Sequence, residues 1–545
     1  MKRKRDVGSS ASPSRRSSKL TKRKRKVFGS ASRSRHSTKF LKRHKKGSSD
    51  KLHSYNHEDR ISQLPEDVQL FILSFLTIKE VAMTRFLSTQ WRDLGASIPR
   101  LDFNASLFPI NKGITHLPPY AREDYVREDY VRRVSKVIQS YKGQILEEFR
   151  LQYCLTETHK SFIDWCIEFA LSKKVRKLDL DFNLPFGAGN DIYEKHLIYM
   201  RIYNVIIKDV DQQKKYAFQV GAGSQAATHD ISSPVCRSFL RFESLTSLCL
   251  RSVRMTGDVL EGLLSTCPIL ETLTLHHVYD LACLKIAGHS LRLKHLEIVG
   301  CGDLDKIELY DVVTIVSFVL YDERVRLHVL LPGWSDKKFL LRNLPGLVDV
   351  SFSIISKLVD QFRMLSSLVS QLKHLKVAVY PGPLVDLDYP IIHKLNGLLE
   401  LEVFWVSPPD QDLLKLVPLL EAAPYLENIT IRMIARLSVE EWESRELKEA
   451  ERRTNGLEHL KVLELAGYRR HPNEDDFISY IITNATALET IIIDPNYQSK
   501  PKWHINSYQK KSKLDEIHKV EGYVRQHAKE WLQGIIPPRI ELVIR

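Results

Sequence analysis

Cysteine is scarce and scattered in this chain of 545 residues. The seven cysteines stand at positions 154, 166, 236, 249, 267, 283 and 301, and no Cys-x-x-Cys pair occurs among them. Structural zinc sites and disulfide frameworks both require characteristic cysteine spacings, so neither is expected. Cysteine use of this kind is typical of a reducing compartment.

Long apolar runs are also missing. The longest, such as VVTIVSFVL at 312–320, fall far short of the about 20 residues that span a bilayer. The N-terminus is basic and has no apolar segment, so it does not resemble a secretory signal. We therefore expect no membrane partner.

Motifs of common enzyme classes are absent as well. There is no P-loop, no H-E-x-x-H and no G-x-S-x-G in the sequence. Residues 221–226 fit G-x-G-x-x-A, but a polar, turn-rich stretch containing Pro234 follows, where a nucleotide site requires a helix. The pair His276-His277 has no further ligands at metal spacing. We expect a protein that is not an enzyme and has neither cofactor nor metal.

Positive charge is confined to one end of the chain. The net charge is +15, yet residues 1–50 alone hold 19 Lys/Arg and 2 Asp/Glu. This leaves 62 basic and 64 acidic residues in the remainder, so the body of the protein is near neutral.

The basic tail is a tandem repeat that we expect to be disordered. KRKRDVGSSASPSRRSSKL at 2–20 aligns with KRKRKVFGSASRSRHSTKF at 22–40, and LKRHKK at 41–46 begins a third copy. Such a composition cannot bury a core. Its basic blocks predict nuclear import. The residues concerned are Lys2, Arg3, Lys4, Arg5, Lys22, Arg23, Lys24, Arg25 and Lys26.

Two other interpretations of the tail stay open: nucleic-acid binding, and a solvated tail with no dedicated partner. No aromatic residues alternate with the basic ones to stack on bases, which disfavours nucleic acid. We therefore expect a nuclear protein, with the cytoplasm as a second location. Phosphorylation of Ser17 or Ser37, both near arginines, would add negative charge and weaken import.

Residues 57–103 form a compact helical segment with surplus apolar surface. LPEDVQLFILSFL at 64–76 predicts a helix ending near Thr77, with Val68, Phe71, Ile72, Phe75 and Leu76 on one core-facing side. Leu70 and Leu73 fall on the opposite side, which either a second protein or the chain's own first repeat would have to cover. A second helix is predicted over 79–87. Ser88 is predicted to cap a third helix, and a strand-like LDF follows at 101–103.

This segment closely resembles the F-box of plant F-box/leucine-rich-repeat proteins. The resemblance covers the Leu-Pro opening, the apolar first helix, the Leu-Ser-x-x-Trp-Arg-x-Leu third helix and the LDF exit. It implies a surface that binds the SKP adaptor of a cullin-RING ubiquitin ligase. The residues carried over, for the F-box core and the adaptor face together, are Leu64, Pro65, Val68, Leu70, Phe71, Ile72, Leu73, Phe75, Leu76, Leu87 and Trp91.

The segment departs from the family pattern at three points. Thr77-Ile78 replaces a common Pro-Thr, Gln90 replaces a basic residue, and Gly95 stands where Trp or Leu-Trp is frequent. These departures bear on the strength of adaptor binding, whereas the fold should be unaffected. An alternative is a three-helix cap that only covers the next domain.

From residue 146 onward the pattern L-x-x-L-x-L recurs, which is the leucine-rich-repeat signature. Each copy predicts a short strand with two inward apolar residues, and segments such as 258–268 predict helices behind the strands. Cys301 falls at a buried turn position, so a structural thiol is expected. The first positions are Leu146, Val175, Leu245, Leu270, Leu293, Ile315, Leu347, Leu372, Leu398, Leu426, Leu460 and Leu488.

Two stretches interrupt or end this pattern. The gap between Val175 and Leu245 predicts either one or two degenerate repeats or an inserted loop, with 209–230 as a disordered insertion. Residues 459–495 resemble the FBD-type block that follows F-box and repeats in plants. A helix near 514–533 and a strand at 539–545 should cover the open end of the solenoid.

The expected architecture is α/β: a disordered basic tail (1–56), a three-helix F-box (57–103), a leucine-rich-repeat solenoid (104–455) and an FBD-like cap with the last repeats (456–545). An ordinary α/β domain with leucine-rich strands is the alternative for the repeats.

The expected function is that of the substrate-recognition subunit of an SKP-cullin-F-box ubiquitin ligase, with an unknown target protein on the repeats. The alternatives are an adaptor-independent nuclear scaffold and a basic-tailed nucleic-acid-binding protein. Target contacts are expected between the inward leucines, at Thr246, Ser247, Thr272, Thr274, His295, Glu297, Lys373, His374 and Lys376.

Overall fold

The computed structural model describes residues 61–104, 119–155, 157–182, 242–321, 338–353, 365–379, 395–405, 412–433, 457–469, 471–495 and 511–545. The basic tail with all the predicted import residues lies outside these ranges. So do the predicted insertion at 209–230 and the glycine-containing segment 221–226.

Three short helices open the described chain: α1 (Glu66–Leu73), α2 (Ile78–Thr84) and α3 (Thr89–Leu94). Helix α1 ends before the predicted Thr77 because residues 74–76 form a turn and Thr77 already caps α2. The Thr77 hydroxyl accepts from the Glu80 N–H at 3.3 Å, and the Glu80 carboxylate accepts from the Thr77 N–H at 2.8 Å. This is a complete capping box. Ser88 caps α3 as predicted, accepting from the Trp91 N–H at 3.2 Å.

Seventeen strands occur in the described part of the chain. They are β1 (Arg100–Asn104), β2 (Glu148–Gln152), β3 (Lys177–Asp181), β4 (Ser247–Arg251), β5 (Thr272–His276), β6 (Cys283–Ala287), β7 (His295–Val299), β8 (Lys306–Tyr310), β9 (Ser317–Tyr321), β10 (Lys338–Arg342), β11 (Asp349–Ser353), β12 (His374–Val379), β13 (Glu400–Trp405), β14 (Asn428–Met433), β15 (Val462–Ala466), β16 (Thr490–Asp494) and β17 (Glu541–Ile544).

Fourteen of these strands form one long parallel sheet, in chain order, that leaves out β6, β8 and β10. Each of the twelve predicted repeat positions is buried and lies two residues before a strand of this sheet. The leucine-rich-repeat prediction is therefore confirmed. The strand-like exit of the helical segment is β1, which pairs directly with β2 and so begins the same sheet.

Stacking brings neighbouring repeats into close backbone contact just before the strands. Gly397 precedes Leu398, and a Cβ at this glycine would lie 2.7 Å from the carbonyl oxygen of Ser370 in the preceding repeat. A Cβ at Gly346 would likewise lie 2.8 Å from the carbonyl oxygen of Ile315. Glycine is required at these two positions because the backbones approach too closely for a side chain.

Helices lie in several of the connections between strands of the long sheet. They are α4 (Pro119–Gln139), α5 (Lys160–Ser172), α6 (Gly257–Ser265), α7 (Val417–Glu421), α8 (Pro472–Asn484) and α9 (Lys511–Ile535). Helix α6 matches the segment predicted at 258–268, and Leu260, Leu263 and Leu264 are buried as expected. Helix α9 and β17 match the predicted C-terminal cover.

The prediction of helices between strands is wrong for three connections. There β6, β8 and β10 form a second, three-stranded parallel sheet in the order β10-β8-β6. Their apolar residues alternate, as with buried Leu284 and Ile286 in β6 and Ile307 and Leu309 in β8. A period of two buries one face of a strand and leaves no helical stripe.

The described strands on either side of the long gap in the repeat pattern are β3 and β4. Lys177 of β3 pairs in register with Ser247 of β4, so the two strands are immediate neighbours. The residues predicted to form either degenerate repeats or an inserted loop, 183–241, lie outside the described ranges.

Candidate functional site

The helical segment exposes far more apolar surface than any other described part of the chain. Val68, Phe71 and Ile72 recur at helical spacing along one side of α1, and Phe75, in the turn that follows, is 71% exposed. The rings of Phe71 and Phe75 meet edge to face, 4.9 Å apart. We call the exposed apolar side chains of this segment the apolar set; its members are Ile61, Leu64, Val68, Phe71, Ile72, Phe75, Leu76, Met83, Phe86 and Leu87.

The predicted inner and outer sides of α1 are exchanged in the structure. Leu73 is fully buried and Leu70 packs against the core, although both were predicted to lie on the side that a second protein or the first repeat would cover. Val68, Phe71, Ile72, Phe75 and Leu76, predicted to face the core, are exposed. The prediction was wrong because α1 is apolar on two sides, and periodicity does not tell which side faces α2 and α3.

The structure thus divides the residues that the F-box resemblance left undivided. Leu73 and Trp91 join Val81, Leu94 and Ile98 in the core, with Leu70 packed against it. Pro65 is exposed directly before α1, and the other carried-over residues belong to the apolar set. Met83 in α2 and Phe86 just after it, which is 84% exposed, were missed because their spacing also suits a core.

A buried glutamine supports the residues that lead into α1. Gln69 is only 1% exposed. Its Nε2 donates to the carbonyl oxygens of Leu64 at 2.5 Å and of Ser62 at 3.2 Å. The indole N–H of Trp91 donates to the Ser62 hydroxyl at 3.2 Å. Sequence reasoning missed Gln69, although a lone polar residue among apolar neighbours is a detectable signal.

Each departure from the family pattern has a structural role. Gln90 donates to Gln69 Oε1 at 3.4 Å, and Thr77 caps α2. A Cβ at Gly95 would lie 3.1 Å from the Trp91 carbonyl oxygen and 3.2 Å from a Val81 methyl. A glycine at this position therefore lets the C-terminal end of α3 pack closely against Val81 of α2.

The helical segment is attached to the repeats by several hydrogen bonds. The backbone N–H of Lys142 donates to the Ala96 carbonyl at 2.8 Å, and the Tyr141 hydroxyl donates to that of Ile98 at 3.1 Å. Lys142 Nζ also lies 2.7 Å from the Asp93 carboxylate. This hydrogen bond holds the pKa of Asp93 below its usual value. Since β1 is also shared, the helices and the first repeats form one continuous unit.

The outer face of the long sheet carries the side chains that alternate with the buried leucines. Of the predicted target contacts, Thr246, Ser247, Thr272, His295, Glu297, Lys373, His374 and Lys376 are exposed or partly exposed. Thr274 is not, because at 8% exposure it is buried in register between Cys249 and Glu297. The prediction for Thr274 was therefore wrong.

A chain of polar contacts crosses this face from β2 to β7; we call it the polar ladder. Arg150 and Arg251 flank Asp179, at 3.2 and 2.8 Å from its carboxylate oxygens. Arg251 Nε donates to His276 Nδ1 at 3.4 Å, and His276 Nε2 lies 3.2 Å from Glu297. The individual residues could not be paired from the sequence, because the register of distant repeats was unknown.

Further along the sheet the same face carries a smaller charged group. Glu402 on β13 lies 3.2 Å from Lys376 Nζ on β12 and also pairs with Arg432 on β14. Most side chains of both charged groups are partly buried, whereas Glu297 and Lys376 are 40% and 46% exposed and so are accessible to a partner.

Two features of many enzymes, a metal site and a reactive thiol, can be sought among the described residues. No group of three or more His, Cys, Asp or Glu side chains among them is placed to hold a metal ion. Cys301 is buried, with its thiol 3.6 Å from the Leu275 carbonyl oxygen, which fits the predicted structural role. Burial raises the pKa of the Cys166 thiol and raises that of Cys267 to about 11, so neither is a ready nucleophile.

Within the described ranges, every helix is too short or too polar to cross a bilayer.

Comparison with known families agrees with this architecture. Residues 61–102 match the F-box domain, and residues 233–545 match the family described as At1g61320/AtMIF1, LRR domain. The two matches and the fold together define an F-box protein with a leucine-rich-repeat domain.

Similar proteins in Arabidopsis thaliana combine the same parts. The F-box/FBD/LRR-repeat protein At1g51370 is 23% identical over 475 residues, which cover 82% of this chain and 92% of the relative. The F-box/FBD/LRR-repeat protein At3g52680 is 27% identical over 394 residues, 71% of this chain and 74% of the relative. The chain belongs to the plant F-box/leucine-rich-repeat proteins, and the names of these relatives support the FBD resemblance of residues 459–495.

Proposed function

We propose that this protein is the substrate-recognition subunit of an SKP-cullin-F-box ubiquitin ligase. The observation that carries the proposal is the apolar set. Exposed apolar patches of this kind mark protein interfaces, and α1 retains its own core on the opposite side through Leu73. An SKP adaptor, through which the chain would join a cullin-RING ligase, is the partner that the F-box match suggests.

The chain would act by bringing two proteins together. A target held on the repeats would be presented to the ubiquitin-charged enzyme, so that proximity and orientation speed the transfer. No side chain of this protein takes part in the chemistry under this proposal.

The outer face of the long sheet is the proposed target surface. It carries the polar ladder and the charged group around Glu402, with less charged strands between them. Charges arranged in this way favour specificity and orientation in a protein interface.

The adaptor interaction is tested by co-purification of the full chain with a plant SKP adaptor. Phe71→Ala combined with Phe75→Ala removes two neighbouring exposed rings, and we expect binding to fall by about 100-fold or more, as for hot-spot aromatics. Tyr425→Ala is the matched control, because Tyr425 is a similarly exposed aromatic residue on the repeats. Equal binding by the double variant and the control would contradict the proposal and favour the adaptor-independent scaffold.

The target is sought by affinity purification with the proteasome blocked, followed by mass spectrometry. Lys376→Ala and Arg251→Ala change the outer face of the long sheet, whereas Lys285→Ala on the short sheet is the control. A genuine target should be lost from at least one of the first two samples and be retained in the control.

We further propose that the tail directs nuclear import. The support is its +17 charge, which contrasts with the near-neutral remainder of the chain. A fluorescent fusion lacking residues 1–50 should no longer accumulate in the nucleus. The same deletion tests nucleic-acid binding, because salt-sensitive binding that depends on the tail would support that alternative.

A further inference from the structure

Gln69 occupies an unusual place for a polar side chain. It lies on the inner side of α1 beside the core that holds Leu73 and Trp91, and it is almost completely buried. Amides are seldom buried without specific hydrogen bonds, since the loss of water is otherwise uncompensated. Here both hydrogens of the Gln69 amide are directed at backbone carbonyls of Ser62 and Leu64.

The segment that receives these bonds is a turn. The Leu64 N–H donates to the Ile61 carbonyl at 3.2 Å and so closes residues 61–64. This turn carries Ile61 and Leu64, two members of the apolar set, which are 53% and 36% exposed. Neither belongs to the buried core, so apolar burial does not fix the turn in place.

Two side chains from separate helices therefore hold the turn. Gln69 of α1 binds its carbonyls, and Trp91 of α3 donates its indole N–H to the Ser62 hydroxyl. Gln90 of α3 in turn donates to the Gln69 oxygen, although 3.4 Å makes this bond weak. The position of the turn relative to α1 thus depends on a small polar network centred on Gln69.

We propose that Gln69 is a positioning residue for adaptor binding: its buried amide holds the 61–64 turn so that Ile61 and Leu64 are presented beside α1 before the adaptor arrives. This inference rests on the proposed function. Its physical basis is preorganisation, because a segment that is already ordered loses less freedom on binding. An aliphatic side chain at position 69 would fill the same space but could not donate hydrogen bonds to the carbonyl oxygens of the turn.

The test compares Gln69→Met with Gln63→Met in the full chain. Methionine has nearly the length of glutamine but lacks the amide. Gln63 is an exposed glutamine of the same turn, so its substitution controls for the change of side chain. The first measurement is hydrogen exchange in the free protein, and the second is affinity for a plant SKP adaptor.

We expect Gln69→Met to speed exchange of the Leu64 amide by about tenfold or more while the amides around Leu73 and Trp91 stay protected. Adaptor affinity should fall about five- to tenfold, as expected when two side chains must be ordered on binding. Ser62→Ala, which removes the bond from Trp91, should speed exchange at the same turn. Gln63→Met should change neither quantity.

Two results would overturn the inference. In one, Gln69→Met leaves exchange in the turn and adaptor affinity at the level of Gln63→Met. In the other, exchange rises throughout the three helices, which would make Gln69 an ordinary core residue. If the unsubstituted chain does not bind the adaptor, the proposed function fails, whereas the exchange measurement still decides whether Gln69 holds the turn.

Discussion

Phenylalanine side chains are exposed in the F-box of this protein and buried in its repeats. Phe71 and Phe75 of the F-box are mostly exposed, whereas Phe149 and Phe318 of the long sheet are fully buried. The strands have one apolar face, and neighbouring repeats cover it. Helix α1 has two apolar sides, and its own domain covers only one. Residue type alone therefore does not separate residues that stabilise the fold from residues that remain exposed in it.

The largest expected effect tests the buried half of this comparison. Phe318→Ala should lower the free energy of unfolding of the repeats by about 3–5 kcal/mol, the usual cost of a large cavity in a core. Chemical denaturation followed by near-ultraviolet circular dichroism measures this cost. Adaptor binding per folded molecule should be unchanged, and its loss would mean that the sheet contributes directly to the adaptor interface.

At the C-terminal end of α1 the same contrast appears between two residues only two positions apart. Leu73→Ala should destabilise the three-helix segment by about 2–4 kcal/mol, because Leu73 is fully buried. Phe75→Ala should change its stability by less than about 0.5 kcal/mol, as for other exposed positions. Hydrogen exchange of the F-box amides measures both. The reverse order would restore the assignment of faces that the sequence suggested.

Two glutamates with the same local role should respond to pH in opposite ways. Glu80 and Glu474 both close capping boxes, at the starts of α2 and α8. Burial raises the pKa of Glu474 to about 7, whereas the hydrogen bond from the backbone of Thr77 lowers the pKa of exposed Glu80. The folded repeats hold the Glu474 proton more tightly than the unfolded chain, so their stability should fall as pH rises from 4.5 to about 7.

Glu474→Gln should remove that loss, which amounts to about 1–3 kcal/mol because one pKa unit corresponds to about 1.4 kcal/mol. Unfolding midpoints at pH 5 and pH 8 for the native and substituted chains give the comparison. The contribution of Glu80 has the opposite sign and is lost as the pH falls through its lowered pKa. An identical pH dependence for the native chain and Glu474→Gln would contradict the assignment.

The smallest effect concerns the cap of α2. Thr77→Ala removes the side-chain acceptor for the Glu80 N–H and should cost about 1 kcal/mol in the F-box, as is typical for a lost helix cap. Thr77→Ser retains the acceptor and is the matched control. If both variants show equal stability, the bond that the Thr77 hydroxyl accepts contributes nothing measurable there.

The repeating part of the fold was predictable because its signal recurs. Leu245, Leu270 and Leu398 head the same pattern, and each of the twelve predicted positions precedes a strand. The short sheet was missed because an alternating run of four or five residues, such as that around Leu284, is brief and was expected to be helical. A short apolar pattern that occurs once predicts secondary structure less reliably than a pattern that recurs in every repeat.

The candidate site was predictable only in part. The apolar residues of α1 were recognised, but their division between core and surface depends on where α2 and α3 pack, which local periodicity does not contain. The partners of Gln69 and the pairs of the polar ladder were missed for a related reason. They join residues from different helices or repeats, such as Arg251 and His276, whose register becomes known only in the folded chain.

Because β1 of the F-box pairs with β2, each further strand of the sheet lies one strand spacing farther from the F-box. Neighbouring strands lie about 4.8 Å apart, so under the proposed function the strand that a target contacts would set its distance from the adaptor in steps of that size. Under the proposed function, a target on β4 and one on β12 would offer different lysines to the same ubiquitin-charged enzyme. Insertion of one repeat ahead of the contact strands would shift the modified position without changing either binding surface.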